Sequence, residues 1–254
     1  MGITIITVCF NSEKTIRETL ESVLDQDYCD YEHLIIDGAS SDHTMAVINE
    51  YKEAYNGRLR VISEKDNGLY DAMNKGVAHA SGEIIGFLNS DDKFADQSAL
   101  RIIMESFEKK DCDGIYGNLE FRDSKTMETV TRVWKSAKGN YKCGWHPAHP
   151  TLYLKKHIYQ AVGKFDLNYR ICSDYDFMLR MMKRQFKLVY IDRVLIHMRS
   201  GGVSTNGLTG YMKNFKESYK VLKKNGIPFA LGVNLLRTGK TLCQMLNSKS
   251  VSGK

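Results

Sequence analysis

Four short apolar runs, each followed by a segment of helical spacing, fill about the first 90 residues and leave few folds open. Ile3–Cys9 is a continuous, mostly β-branched run, as a strand buried on both faces would be. Asn11 and Ser12 then start a helix, with Ile16, Leu20, Val23 and Leu24 at helical spacing. His33–Asp37 reads as a second strand, and residues 42–55 as a second helix with Met45, Ile48 and Tyr51 on one face. Leu59–Ser63 is a third strand, Leu69–Ala80 a third helix and Glu83–Leu88 a fourth strand. Such alternation predicts a parallel sheet with crossover helices, and ligands of these sheets sit at the carboxyl ends of the strands. Further on, helices are expected at 96–110, 155–161 and 173–184. Strands are expected at Gly114–Phe121, Thr129–Trp134, Lys187–Tyr190 and Val194–Met198, before a Gly/Ser loop, Arg199–Gly207.

At 254 residues the chain holds one large domain, or one domain with an appendage. A 43% hydrophobic and 26% charged composition excludes a disordered or fibrous chain. The six cysteines lack a CxxC pair, so they read as reduced thiols in a cytoplasmic protein. No run approaches the roughly 18 apolar residues of a membrane span, and the N-terminus reads as a strand, not a signal peptide. The charge is unevenly placed. Residues 208–254 carry nine Lys and Arg against one acid, Glu217, while the remainder has 27 basic and 29 acidic residues. An amphipathic helix opens this segment, with Met212, Phe215, Tyr219 and Leu222 as its stripe and five lysines around it; a second apolar stretch, Phe229–Leu246, follows Gly226–Pro228. Two readings fit the lysines: a solvated face, or attachment to an anionic lipid surface. No nucleic-acid partner is expected, because aromatic-interleaved basic motifs are missing.

The strand ends gather Cys9-Phe10-Asn11, Asp37-Gly38-Ala39-Ser40 and Asn89-Ser90-Asp91-Asp92 on one rim. Paired carboxylates at Asp91 and Asp92 suit a hard cation such as Mg2+ or Mn2+, or else cap the following helix. Ser173-Asp174-Tyr175-Asp176 before an apolar run reads as a capping box, or as the source of a general base, and Asp176 can cap while Asp174 works. Cys143, His146 and His149 invite a zinc reading, but no second ligand pair exists, and His149 fits better as a cleft residue touching substrate. His197 is either a satisfied strand histidine or a third metal ligand or phosphate donor.

Taken together, TVCFNSEKTIRETLESVLDQ, IIDGASSDHT, EKDNGLYDAMNKG and GEIIGFLNSDD, followed by HPTLYLKK, GKFDLNYRICSDYDFMLR and HMRSGGVS, resemble the family 2 glycosyltransferases of GT-A fold. The match spans about residues 3–205, and its flavour is that of bacterial capsule, O-antigen or exopolysaccharide enzymes. The resemblance implies a Rossmann-like nucleotide-binding half with a mixed, mainly parallel sheet at about 1–95 and an acceptor half at about 96–207; the basic helical tail at 208–254 lies beyond the match. It implies that Thr7, Phe10 and Asn11 line base and ribose, that Asp37 bonds the base, and that Asp66 and Gly68 form the next donor loop. It further implies that Asp92, with Asp91, binds the metal, that Asp174 is the catalytic base, and that His197, Arg199 and Ser204 close on the diphosphate. His149 and Asp176 are expected on the acceptor side.

The function expected is inverting, metal-dependent transfer from a UDP-sugar to a lipid-linked or growing saccharide at the inner face of the cytoplasmic membrane. Asp174 takes the acceptor proton in that scheme, and the metal, with Arg199 or His197, offsets charge on the departing UDP. Two rivals remain at this point. A sugar nucleotidyltransferase is disfavoured because TVCFNSEKT holds no glycine. A non-catalytic nucleotide-sugar or glycan-binding module predicts binding without turnover.

Overall fold

The computed structural model describes residues 2–201 and 207–249. Its N-terminal half is built from β1 (Ile3–Cys9), α1 (Ile16–Leu24), β2 (Tyr31–Asp37), α2 (Thr44–Glu50), β3 (Leu59–Ser63), α3 (Leu69–His79) and β4 (Ile84–Phe87). All seven residues of β1 are buried, as its apolar run demands. Strands pair in parallel in the order β3-β2-β1-β4, with Cys9 opposite Asp37 and Asp37 opposite Ser63. The three strands therefore end level, and their loops share one rim.

The second half extends the sheet through β8 (Leu152–Lys155), β6 (Gly114–Arg122), β9 (Leu188–Arg199) and β5 (Lys93–Phe94), while β7 (Val130–Trp134) pairs with β6. Antiparallel pairs enter here at β4–β8, β6–β8, β6–β7 and β5–β9, so the sheet is mixed. Two strands were expected over 187–198; one continuous strand, β9, forms instead, because β6 pairs with it in parallel over most of its length. The two short strands β5 and β8 escaped the sequence pattern, being too brief to show a period.

Alternate side chains of the strands feed two cores. One face packs Ile3, Ile5 and Ile35 against α1, α2 and α4 (Ala99–Lys109). The other packs Ile6, Ile36 and Phe87 against α3, α5 (Lys156–Val162) and α6 (Ser173–Lys183). A buried polar chain crosses the first core: Thr7 Oγ1 lies 2.9 Å from His33 Nε2, and His33 Nδ1 lies 2.8 Å from the Tyr55 hydroxyl. Burial pushes the His33 imidazole down to about 3, so it stays neutral there.

The basic C-terminal segment forms α7 (Gly207–Lys224) and α8 (Ala230–Lys249). It is not a loose appendage. Val221, Leu222, Ile227 and Val233 make a third core with Cys172, Tyr175 and Leu179 at the start of α6. None of the helices among the described residues is long and apolar enough to cross a membrane.

Candidate active site

At the rim, the loops after β1 and β2 are held open by two left-handed residues, Asn11 (φ 51°) and Ala39 (φ 62°). Hydrogen bonds hold this uncommon geometry in place. The Asn11 N–H donates to Ser40 Oγ (2.8 Å), and Asn11 Oδ1 accepts from the Ser41 N–H (2.9 Å). Asp37, fully buried, anchors the same loop: its carboxylate accepts from the Ser40 N–H (3.1 Å), Ser40 Oγ (2.5 Å) and Ser63 Oγ (2.6 Å). Both oxygens being occupied, Asp37 shapes the slot and presents no free edge to it.

What faces the slot is Phe10 and Asp66. The Phe10 ring is 62% exposed, an unusual state for so large an apolar side chain. Gly38 lies between the two groups, and a Cβ there would meet Asp66 Oδ2 at 2.5 Å and the Phe10 ring at 3.3 Å. Asp66 Oδ1 accepts from the Gly68 N–H (2.8 Å), and Gly68 takes φ 106°, which only glycine adopts without strain, at the start of α3. An exposed aromatic face beside a carboxylate suits a planar, hydrogen-bonding ring. Thr7 does not join them. It shares the strand parity of Ile3 and Ile5, and its hydroxyl is spent on His33 inside the core.

The two aspartates after β4 differ sharply. Asp92 is 1% exposed; its Oδ2 accepts from Asn89 Nδ2 (2.7 Å) and its Oδ1 from the Arg199 N–H (3.0 Å). Asp91 is half-buried, and no other described residue hydrogen-bonds its carboxylate. Desolvation pushes both carboxyls up, with the Asp91 charge adding to the effect on Asp92 and Arg199 pulling the other way on each. Asp91 thus holds the open oxygens, and Asp92 serves as the strut beneath it.

Arg199 and His197 turn elsewhere. The Arg199 guanidinium donates to Glu18 Oε1 (2.8 Å) and the Ser124 carbonyl (2.7 Å). His197 Nε2 lies 3.1 Å from Arg122 Nη2 and 3.4 Å from Glu120 Oε2, on the register of β6 and β5. The structure therefore does not gather His197 with Asp91 and Asp92, and no group of three His, Cys, Asp or Glu among the described residues is arranged around a common centre. Ser204 lies outside the described residues. Cys143, His146 and His149 also part ways: His146 packs on Trp134 and Tyr175, and His149 on Phe87 and Phe165.

Asp174 stands in the first turn of α6, partly exposed, with its Oδ1 accepting from the Tyr70 hydroxyl (3.0 Å) and the Tyr175 N–H (2.8 Å). His149 is buried near it; burial lowers the imidazole's proton affinity, and the Asp174 charge opposes that. The capping box does not form. Helix α6 is capped at Cys172 with no side-chain bond, and Asp176 points inward. Fully buried, Asp176 accepts from Arg180 Nε (2.8 Å) and Asn225 Nδ2 (2.9 Å) and pairs with Lys224 (3.2 Å). No oxygen is left for an acceptor, so Asp176 is a structural ion pair.

Residues 4–185 match the model of glycosyl transferase family 2. The chain belongs to that family. A PGL/p-HBAD biosynthesis glycosyltransferase of Mycobacterium bovis is 27% identical over 182 residues, 69% of this chain and 68% of that protein. An uncharacterised glycosyltransferase of Nostoc sp. is 31% identical over 133 residues, 52% of this chain and 41% of its own length. Among solved structures, S. aureus TarS 1–349 in complex with UDP-GlcNAc superposes with a TM-score of 0.67 at 16% identity, covering 88% of this chain and 66% of that one, just under two thirds of its length. The mannosyltransferase PcManGT from Pyrobaculum calidifontis, in complex with GDP-Man and Mn2+, gives 0.67 at 16% identity over 98% of this chain and 74% of that one. The family 2 glycosyltransferase thus has the expected GT-A fold with a helical C-terminal region.

One carboxylate of the site has the chemistry that a divalent ion needs. The half-buried Asp91 carboxylate, which no other described residue hydrogen-bonds, is a hard oxygen donor of the kind that Mg2+ or Mn2+ prefers. Two residues of the site escaped sequence analysis: Tyr70 and Ser63. Tyr70 alone carried a signal, because a tyrosine on the apolar face of a helix needs a buried partner for its hydroxyl.

Proposed function

We propose that this glycosyltransferase moves a sugar from a UDP-sugar to a hydroxyl of a lipid-linked or growing saccharide, inverting the anomeric carbon. The carrying observation is an exposed Phe10 beside a half-buried Asp66, with a partly exposed Asp174 bonded by Tyr70, two residues past the Gly68 whose N–H bonds Asp66. Phe10 stacks on the base, Asp66 accepts a base N–H, and Asn11 and Gly68 border the ribose. Asp91, braced by Asp92, holds the divalent ion. Such an ion, when bound, neutralises charge on the diphosphate. Asp174 accepts the proton of the acceptor hydroxyl as its oxygen bonds to the anomeric carbon; the bond from that carbon to the diphosphate oxygen breaks, and its electron pair leaves with UDP. His149 borders the acceptor. One displacement needs no covalent nucleophile.

The test is UDP release from a panel of nucleotide-sugars, with and without Mn2+ or Mg2+. Release from one UDP-sugar that needs the ion, and that falls by at least about 100-fold in Asp91→Asn, is expected. Stabilisation by UDP without release under any acceptor would favour a binding module. Equal turnover with chelator would remove the metal from the reading.

The same reading places the enzyme on an anionic membrane face. Support comes from α8, where Leu235 (56%), Leu236 (61%) and the preceding Phe229 (90%) are exposed beside Lys240, and from exposed Lys216, Lys220 and Lys223 on α7. Binding to phosphatidylglycerol vesicles is expected to weaken by roughly 10-fold or more in a Leu235→Glu, Leu236→Glu double variant, with unchanged melting. Wild-type protein that ignores such vesicles, or a double variant that binds as well, refutes the attachment.

A further inference from the structure

We propose that Glu217, on α7, is a positioning residue for the Asp174 carboxylate; this rests on the transfer reading above. Glu217 is the lone acid among residues 208–254. Its carboxylate accepts from three consecutive main-chain N–H groups, those of Arg170 (3.2 Å), Ile171 (2.8 Å) and Cys172 (3.1 Å). These amides lead directly into α6, whose own Ser173 and Asp176 supply no cap. A carboxylate from another helix therefore does the work that a capping side chain does locally, with the added strength of charge-assisted bonds.

The hold reaches the reacting group in two further bonds. The Tyr70 hydroxyl shares its single hydrogen between the Ile171 carbonyl (2.6 Å) and Asp174 Oδ1 (3.0 Å). Fixing the peptide units 170–172 fixes the Ile171 oxygen, which fixes the Tyr70 hydroxyl, which sets one oxygen of Asp174. The other tasks of α7 have other residues: Lys224 and Asn225 hold Asp176, and Ser218 ties α7 to Asn234 of α8 (2.8 Å). These contacts hold the helix in place independently of the Glu217 carboxylate. Glu217 lies outside residues 4–185, the span that carries the family match, so this chain supplies the brace from its own C-terminal segment.

The test compares Glu217→Gln, Tyr70→Phe and Ser218→Ala. Loss of the brace is expected to lower kcat by roughly 10- to 100-fold in Glu217→Gln, with donor KM little changed, since a displaced base misses its near-attack geometry. Tyr70→Phe should fall in the same way, whereas Ser218→Ala should lower the melting temperature and spare kcat. Amide exchange provides a readout free of activity: protection at residues 170–176 should drop in Glu217→Gln and persist in Ser218→Ala. Turnover lost in Asp174→Asn but untouched in Glu217→Gln overturns the brace and leaves the transfer reading standing. If the wild type turns over no nucleotide-sugar, the transfer reading fails, and unchanged exchange in Glu217→Gln overturns the brace as well.

Discussion

Asp174→Asn is expected to lower sugar transfer by about 100- to 10,000-fold, the usual contribution of a positioned general base, while leaving UDP binding intact. Asparagine is nearly isosteric, and its carbonyl oxygen keeps the bonds from the Tyr70 hydroxyl and the Tyr175 N–H. The negative charge is removed, and with it the ability to take a proton. The measurement is steady-state UDP release, with calorimetric UDP binding as the control. Wild-type turnover in this variant would take Asp174 out of the chemistry, whatever the family match implies. The neighbouring Asp176→Asn should behave differently: it disturbs a buried pair with Arg180 and Lys224, so its first effect is on stability.

Ending the chain at residue 206 is expected to leave an insoluble or unfolded protein. Removal of α7 and α8 strips four buried side chains, Val221, Leu222, Ile227 and Val233, from the core they share with α6. At roughly 2 kcal/mol for each, about 8 kcal/mol of gross burial disappears, comparable with the whole stability of a domain. The cut also leaves the buried Asp176 without Lys224 and Asn225. Leu222→Ala gives the graded form of the experiment, with an expected loss of about 2–5 kcal/mol by urea unfolding. A truncated protein that melts cooperatively at the wild-type temperature would show that α7 and α8 are dispensable. Because they are built into the fold, membrane attachment has to be probed with surface variants and not by deletion.

Much of the fold was legible because it is written in local periods. The β-branched run of β1, the helical spacing after it and the repeat of that pair define a parallel sheet, and the handedness of crossovers then fixes where its cleft opens. Phe10, Asp66 and Asp91 follow β1, β3 and β4 and so come to the strand-end rim by position alone, whereas Asp174, on α6, was legible only through the family resemblance. The parity of β1 also sets Thr7 apart from the slot: it is in phase with Ile3 and Ile5 and buried with them. Strands β5 and β8 were illegible, since two to four residues carry no period and their pairing is decided by partners far along the chain.

The sequence by itself determined the order of elements through β4, the rim on which the acids gather and the family to which the motifs belong. It did not determine which acid of each pair is free. Asp91 and Asp92, or Asp174 and Asp176, are equivalent in a string of letters; they part because Asn89 and the Arg199 main chain occupy one, and Arg180, Lys224 and Asn225 occupy the other. Asn89, three residues before Asp92, and Arg180, four residues along the helix from Asp176, were the partners visible locally. The rest arrive from β9 and α7, and a carboxylate's role depends on whether its oxygens are already satisfied, which only the packing of distant segments decides.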